Sequence, residues 1–478
     1  LEPVPMPTFR ATSILPAPAG EVFEWHTRPG AFERLQPPWD PAEVLERTGE
    51  GITPGTSVVV KVSAGGIAQR MQVEHTRLEA PTLFEDVQRQ GPFRRWIHQH
   101  RFHAAGEEET RLEDHLDYEL PLGPLGRTVA GGSVRSRLER LFAYRHRVLA
   151  ADLRRHREAA LTPRTFLISG ASGMLGSALV PFLTAGGHRV RRLVRRRAQR
   201  ADEFEWAPGS RPLHPSALEG VDVVINLSGA NLGEQRWTPA RKSMLKSSRT
   251  EPTATLASAL AAAPQGPHGP RVFVSLSASG YYGHRHGDRV LEDDAPNGSD
   301  FIAQLCRVWE EAARPAAEAG VRVVHPRLGP VISVAGGMLE RLLLPFRLGL
   351  GGRLGDGRQW LPVLSREDVL GALLFAVATP ELTGAFNLSA PNPVTNRDFT
   401  RTLSRVLGRP SPTLLPAPAL RAAFGELGEV ALLGGQRMIP SRLASLGFRW
   451  QHRTLEEMLR FELGRDVPPE GFTAQHDG

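Results

Sequence analysis

Cysteine is nearly absent from this sequence: Cys306 is the single one among 478 residues. One thiol excludes an internal disulfide and fits a reducing compartment. Long apolar runs are absent as well. No stretch of about 18 consecutive apolar residues occurs, which excludes a membrane-spanning helix. The opening LEPVPMPTFR lacks the apolar segment of a secretory signal, so the cytoplasm is the expected location. Lysine is scarce too, since of 58 basic residues only Lys61, Lys242 and Lys246 are lysines. The basic residues are offset by 51 acidic ones, leaving a net charge of +7, and no long basic block occurs. A nucleic-acid partner is therefore not expected, and the arginine excess, beside abundant Ala, Pro and Gly, reads as a codon-usage bias. Tyrosine is limited to Tyr118, Tyr144, Tyr281 and Tyr282, a shortage that restricts proton-transfer chemistry. The length exceeds what one core supports and implies two or three domains.

What the chain does contain is organised around Thr165 to Val194, which reads as strand, glycine-rich turn, helix and second strand. Phe166, Leu167 and Ile168 give the short apolar run of a buried parallel strand. Gly170, Ser172, Gly173, Met174, Leu175 and Gly176 follow as a turn expected to hold a dinucleotide. Gly170 permits the tight bend, Gly173 lets backbone amides approach a pyrophosphate, and Gly176 brings the helix close to the strand. The phosphates would lie on the helix N-terminus, where free N–H groups and the dipole favour negative charge. Beyond the second strand, where NAD sites place a carboxylate, stand Arg195, Arg196 and Arg197. Two readings apply: a solvated basic face, or a receptor for the 2′-phosphate of NADP. NADP(H) is the expected cofactor, with NAD(H) the alternative.

The first 158 residues lack this alternation and read as antiparallel strands, with Thr8 to Ile14 as an edge, followed by a helix from about Gly132 to His156. Residues 159–164 form a polar connector. The α/β pattern then continues through strands at Val221–Leu227, Val272–Leu276 and Val321–Pro326. Asn226, Leu227, Ser228 and Gly229 fall at a strand's C-terminal end, where ligands bind in an open parallel sheet; the alternative is a plain capping turn.

The motifs GASGMLG, NLSG and SASGYYG, the arginine of HPRLG (Arg327) and the segment GDGRQWLPVLSREDV together resemble an extended short-chain dehydrogenase/reductase. More narrowly they are similar to the epimerase-like subfamily of nucleoside-diphosphate-sugar epimerase homologues, over about Arg164 to Leu459. The resemblance implies a doubly wound Rossmann domain at 164–405 with Arg327 among the cofactor residues, and a small C-terminal domain at 406–464. Residues 465–478 are expected to be a flexible tail. Residues 1–158, through the opening Phe9 to Ala19 leading into Val22-Phe23-Glu24-Trp25 and through the terminal helix, resemble the START-like, polyketide-cyclase superfamily. That resemblance implies an α+β helix-grip fold holding an apolar ligand. Trp25, Trp39, Trp96 and Phe93 would line its pocket or form plain core.

The wider superfamily works through a Tyr-x-x-x-Lys pair on one helix face, the lysine lowering the phenol's pKa, with a Ser or Thr on the substrate oxygen. No Tyr-x-x-x-Lys occurs in this chain. Alignment on Glu310 places Ile302 at the tyrosine position and Cys306 at the lysine position. Ser277 matches the substrate-oxygen serine. Tyr281 or Tyr282 is then the substitute acid/base, supported by Lys242, Lys246 or Arg249; the alternative is a packing role for both rings. Cys306 is expected to be a buried hydrophobe rather than a nucleophile. His284 and His286 lack partners at ligand spacing, so no metal is expected. Two function classes follow: an NADP-dependent enzyme acting on a small carbonyl or hydroxyl compound, or an NADP-binding sensor or carrier that turns nothing over.

Overall fold

A computed structural model describes residues 8–49, 51–64, 67–121, 123–263, 269–284 and 287–477. The chain divides into two compact units. One comprises 1–158, 181–187 and 463–478, and the other 159–180 and 188–462.

The first unit is a curved antiparallel sheet around a long helix. Its elements are β1 (Thr8–Leu15), α1 (Ala19–Thr27), α2 (Ala31–Arg34), β2 (Glu43–Thr48), β3 (Ser57–Ala64), β4 (Ile67–Glu79), β5 (Leu83–Gln90), β6 (Arg95–Ala104), β7 (Thr110–Glu119) and the 37-residue α3 (Gly123–Ala159). The sheet order is β2-β3-β4-β5-β6-β7-β1, and the strand Thr473–Asp477 adds to the far side of β1. Strand alternation decides what enters the interior: β6 turns Trp96, His98, His100 and Phe102 inward, and β7 turns in Leu112, Asp114, Leu116 and Tyr118. One apolar cluster gathers Trp25, Phe84, Phe102, Leu149 and Leu153, and another Phe9, Trp96, Leu116, Leu138 and Phe142. Trp25 and Trp96 are thus core residues. Trp39 stacks edge-on against Tyr144 at 5.0 Å, and Phe93 packs on Trp96 at 4.7 Å.

β1 is not an edge, because residues 473–477, expected within a flexible tail, pair with it antiparallel from Thr8↔Asp477 to Thr12↔Thr473. That pairing gives β1 a second ladder of hydrogen bonds. β2 was not foreseen, since its face is largely exposed and shows no apolar alternation. The helix extends past the predicted ends, because its glycine-rich first turns carry no apolar period.

The second unit is a parallel sheet. Its elements include β8 (Thr165–Ser169), α4 (Gly176–Ala185), β9 (Arg189–Val194), β10 (Glu203–Glu205), β11 (Val223–Asn226), α5 (Pro239–Ala262), β12 (Val272–Ser275), β13 (Ser277–Ala278), β14 (Val290–Leu291), α6 (Phe301–Glu311), α7 (Arg314–Glu318) and β15 (Arg322–Leu328). The order β10-β9-β8-β11-β12-β15, with strand Gly384–Leu388 beside β15, is the doubly wound Rossmann arrangement. Its direction of winding reverses between β8 and β11, which opens a crevice at their C-terminal ends.

Inside the first unit, Arg34 makes a bidentate pair with Asp152 at 2.8 and 2.7 Å, both side chains buried. Removing one partner strands a buried charge, so Asp152→Ala should destabilise this unit by about 3–5 kcal/mol. Replacing both with apolar residues, Arg34→Met with Asp152→Leu, should recover most of that loss. Denaturant unfolding followed by tryptophan fluorescence measures both; equal losses in single and double variants would contradict the assignment.

Candidate functional site

At the crevice, β8 ends and the chain bends at Gly170, whose φ of +72° lies in the left-handed region. A Cβ there would stand 2.9 Å from the Leu227 carbonyl carbon, so this glycine also lets the loop pass the end of β11. Gly176 is held tighter still: a Cβ would lie 2.3 Å from Gly170 O and 2.6 Å from Ala171 Cα. Its smallness therefore serves loop-to-helix contact rather than the expected helix-to-strand contact. Gly173 would meet only Gly170 O, at 3.3 Å, and with Ser172 it is exposed. Leu175 is buried and Met174 half-buried. The amides of Met174, Leu175 and Gly176 make no hydrogen bond among the described residues, which is the pattern of a helix N-terminus open to an anion.

Asn226, predicted to touch the cofactor, is wholly buried and its side chain is fully engaged. Its Oδ1 accepts from Ser169 Oγ at 2.6 Å and from the Ser228 amide at 3.1 Å. Its Nδ2 donates to Thr253 Oγ1 at 2.8 Å, which also accepts from Trp309 Nε1 at 3.0 Å. The residue ties the ends of β8 and β11 together, and Leu227 and Ser228 after it are half-buried and Gly229 exposed.

Past β9, Arg195 and Arg196 differ in their engagement. Arg196 is held by Glu203 through two bonds of 2.8 and 2.6 Å, and that ion pair holds the Glu203 carboxyl down at about 2. Arg195 is exposed and makes no ion pair among the described residues.

Ser277 and Arg327 are registered neighbours on β13 and β15, and α6 supplies Glu310 between them. Ser277 Oγ donates to Glu310 Oε1 at 2.6 Å. Arg327 donates to both Glu310 oxygens at 3.0 Å, to Tyr282 Oη at 3.0 Å and to Asp293 O at 3.1 Å. The guanidinium also lies 3.4 Å above the Tyr281 ring centre. Arg327, expected at the cofactor, is thus committed to a buried ion pair. Tyr282 is fully buried, donates to Asn387 Oδ1 at 2.6 Å, and is pushed up to about 12 by burial. A phenol so enclosed holds the fold and is not placed to pass a proton to a substrate. Tyr281 is half-buried, and its hydroxyl makes no hydrogen bond among the described residues.

The position of the missing pair is packed shut. A Cβ on Gly280 would stand 2.2 Å from Ile302 Cγ2 and 3.8 Å from Cys306 Sγ. Burial pushes the Cys306 thiol up to about 12, as suits a buried hydrophobe. Lys242 pairs with Glu426 at 2.5 Å, Lys246 is exposed, and Arg249 is buried against the carbonyls of Leu245 and Ala230. None of the three reaches a tyrosine among the described contacts. His284 does have a carboxylate partner, Asp300 at 2.8 Å, contrary to expectation; His286 lies outside the described residues. Ser279 carries no signal in the sequence that sets it apart from its neighbours. It lies in the turn between Ser277 and Tyr281, and among the described residues its hydroxyl makes only a long 3.5 Å contact with Gln436. A surface groove of about 610 Å³ reaches Tyr281, Glu310, Arg314 and His325 but no residue of the glycine loop.

Comparison with known proteins agrees with this geometry. Residues 166–389 match the NAD dependent epimerase/dehydratase family, residues 15–142 the polyketide cyclase / dehydrase and lipid transport family, and residues 415–462 a domain of unknown function. The epimerase family protein Mb2239 of Mycobacterium bovis is 46% identical over 298 residues, covering 62% of this chain and 97% of that protein. The crystal structure of a nucleoside-diphosphate sugar epimerase from Corynebacterium glutamicum superposes with a TM-score of 0.79 at 29% identity, over 96% of this chain and 91% of that one. The human epimerase family protein SDR39U1, solved with NADPH, superposes with a TM-score of 0.56 at 31% identity, over 63% of this chain and all of that one, at 100%. With a glycine loop at the sheet's switch point and a 46% identical relative matched over 97% of its own length, this chain belongs to the NAD-dependent epimerase/dehydratase family and carries a polyketide-cyclase-like unit at its N-terminal side.

Proposed function

We propose that this protein binds NADP(H) on the Gly170–Gly176 loop and acts as an oxidoreductase or epimerase on a small carbonyl or hydroxyl compound. The observation that carries the reading is the row of unspent amides at Met174, Leu175 and Gly176, opposite a strand end whose polar groups are already fixed by Asn226. Arg195 is the candidate for the 2′-phosphate, since Arg196 is engaged by Glu203. The NADPH held by the human relative supports the same cofactor. Near the end of β13, the single O–H of Ser277 is spent on Glu310. Ser279 is then the hydroxyl free to hold a substrate oxygen, and Tyr281 the phenol free to move a proton, with Arg327 against its face stabilising a phenolate. The second reading is a sensor that binds the nucleotide without turnover; the sealed Ile302–Gly280 contact favours it. The apolar ligand expected for the first unit forms no part of this proposal, since its interior carries a buried group of imidazoles and carboxylates.

NADPH should bind roughly ten- to a hundredfold more tightly than NADH, corresponding to about 1.5–3 kcal/mol from a charge-assisted guanidinium contact. Arg195→Ala should erase most of that preference and Arg196→Ala little of it, read by fluorescence titration; a parent protein indifferent to the 2′-phosphate overturns the cofactor assignment.

Gly176→Val should abolish nucleotide binding, because the added side chain collides with loop backbone, whereas Gly173→Ala should bind with a loss of no more than about tenfold. Isothermal titration of both variants decides this, and normal binding by the Gly176 variant would show that the loop is misassigned.

Turnover separates the tyrosines. With a carbonyl compound that oxidises bound NADPH, Tyr281→Phe should cost about a hundredfold to ten-thousandfold in kcat at matched cofactor saturation. Tyr282→Phe should instead lower thermal stability through the hydrogen bonds lost to Asn387 and Arg327. Full activity in Tyr281→Phe removes the proton-transfer role, and no NADPH oxidation across a broad carbonyl screen supports the sensor.

A further inference from the structure

The middle of the first unit's sheet is polar where a helix-grip interior would be expected to be apolar. On three neighbouring antiparallel strands the register sets Asp86 of β5 opposite His98 of β6, and His100 of β6 opposite Asp114 of β7. Alternation turns all four side chains to the interior. They are 8%, 3%, 8% and 2% exposed in the order Asp86, His98, His100, Asp114. The two apolar clusters lie on either side, so these groups are enclosed rather than solvated.

The arrangement has two sides. Toward the first, Asp86 Oδ2 stands 3.2 Å from His98 Nδ1 and 3.8 Å from His100 Nε2, and one ligand atom from each of the three residues lies within 4.8 Å of the others. Ligands at about 2.0–2.2 Å around a tetrahedral divalent ion stand roughly 3.3 Å apart, so the two distances from Asp86 are within about half an ångström of that spacing. Toward the second side, both imidazoles turn their other nitrogens to one carboxylate. His98 Nε2 is 3.0 Å and His100 Nδ1 2.7 Å from Asp114 Oδ1. Asp114 Oδ2 is met at 2.5 Å by His146 Nε2, whose Nδ1 is bonded to Ser13 Oγ at 2.7 Å. Metal-bound histidines characteristically hand their outer N–H to a carboxylate that is itself anchored; Asp114 is bonded to His98 in this way and stands beside His100 Nδ1.

Hydrogen bonding among the protein groups alone leaves His100 unsatisfied. Its Nδ1, although near Asp114, makes no in-line hydrogen bond, and its Nε2 is beyond reach of Asp86. Among the described contacts, the neighbouring buried cation, Arg145, donates to Leu35 O rather than to either carboxylate. His100 Nε2, which faces Asp86 without a hydrogen bond among the described contacts, is the nitrogen that a cation beside Asp86 would engage.

We propose that Asp86, His98 and His100 bind one divalent transition-metal ion inside the first unit, with Asp114, His146 and Ser13 as the outer layer that orients the imidazoles. Two imidazoles and a carboxylate suit zinc or ferrous iron over calcium or magnesium. Three protein ligands leave a coordination position for water or a small oxygen ligand.

The test uses the full chain stripped with a chelator and titrated calorimetrically with Zn²⁺, then with Co²⁺ while its visible spectrum is followed. One equivalent should bind, and X-ray absorption of the zinc form should show a shell of nitrogen and oxygen with imidazole scattering and no sulfur, which separates this site from Cys306. His100→Gln and Asp86→Asn should each weaken binding at least a hundredfold, and Asp114→Asn ten- to a hundredfold, while circular dichroism and NADPH binding by the second unit stay unchanged. Absence of stoichiometric binding by the parent chain, a sulfur ligand, or undiminished affinity in the His100 and Asp86 variants overturns the proposal. Should the variants fail to fold, the parent's stoichiometry and absorption spectrum decide it alone.

Discussion

The second unit depends on a buried hydrogen-bond knot around Asn226. A side-chain amide carries donors and acceptors that each cost about 1–3 kcal/mol if buried unpaired, so Asn226 is tolerated only where Ser169, Thr253 and the Ser228 amide all reach it. Ser169 ends β8, Ser228 follows β11, Thr253 lies on α5, and Trp309 of α6 joins through Thr253. Four elements are therefore fixed by one residue at the sheet's reversal point. The glycine loop starts at the next residue after Ser169, and its geometry is set by that anchoring before any nucleotide arrives.

Features carried by short-range pattern were legible in the sequence. The β8–α4–β9 run, its glycines and the parallel strands that follow were visible because apolar period and turn chemistry act within a few residues. The second ladder on β1 was not, since its partner, Thr473–Asp477, lies more than 450 residues away and is a polar strand with no apolar signal. The imidazole and carboxylate group was hidden for the same reason. His98 and His100 are visibly two apart, but only the β5–β6–β7 register brings Asp86 and Asp114 to them.

At the candidate active site, residue identities were legible and their engagement was not. Tyr281 and Tyr282 look equivalent in a row of letters, yet the short helical turn at Ser279–Tyr282 sends one ring under Arg327 with a free hydroxyl and buries the other against Asn387. Arg195 and Arg196 are likewise adjacent, and only the fold reveals that Glu203 claims the second. Arg327 illustrates the opposite error: its motif suggested a ligand contact, whereas its donors go to a carboxylate, a phenol and a backbone carbonyl.

Loss of the Tyr-x-x-x-Lys pair is accordingly a rebuilding rather than a simple deletion. Ile302 fits only because residue 280 is glycine, and Cys306 fills the next turn of the same helix face, so restoring a tyrosine at 302 would have to displace a packed backbone. One turn further along α6, Glu310 is ion-paired with Arg327 and accepts a hydrogen bond from Ser277. The turn itself is where the proposed chemistry is placed, since the Tyr281 hydroxyl makes no hydrogen bond among the described residues and the Ser279 hydroxyl only a long one to Gln436. Family membership sets the nucleotide fold, and the groups left unspent by that packing set what the site can do.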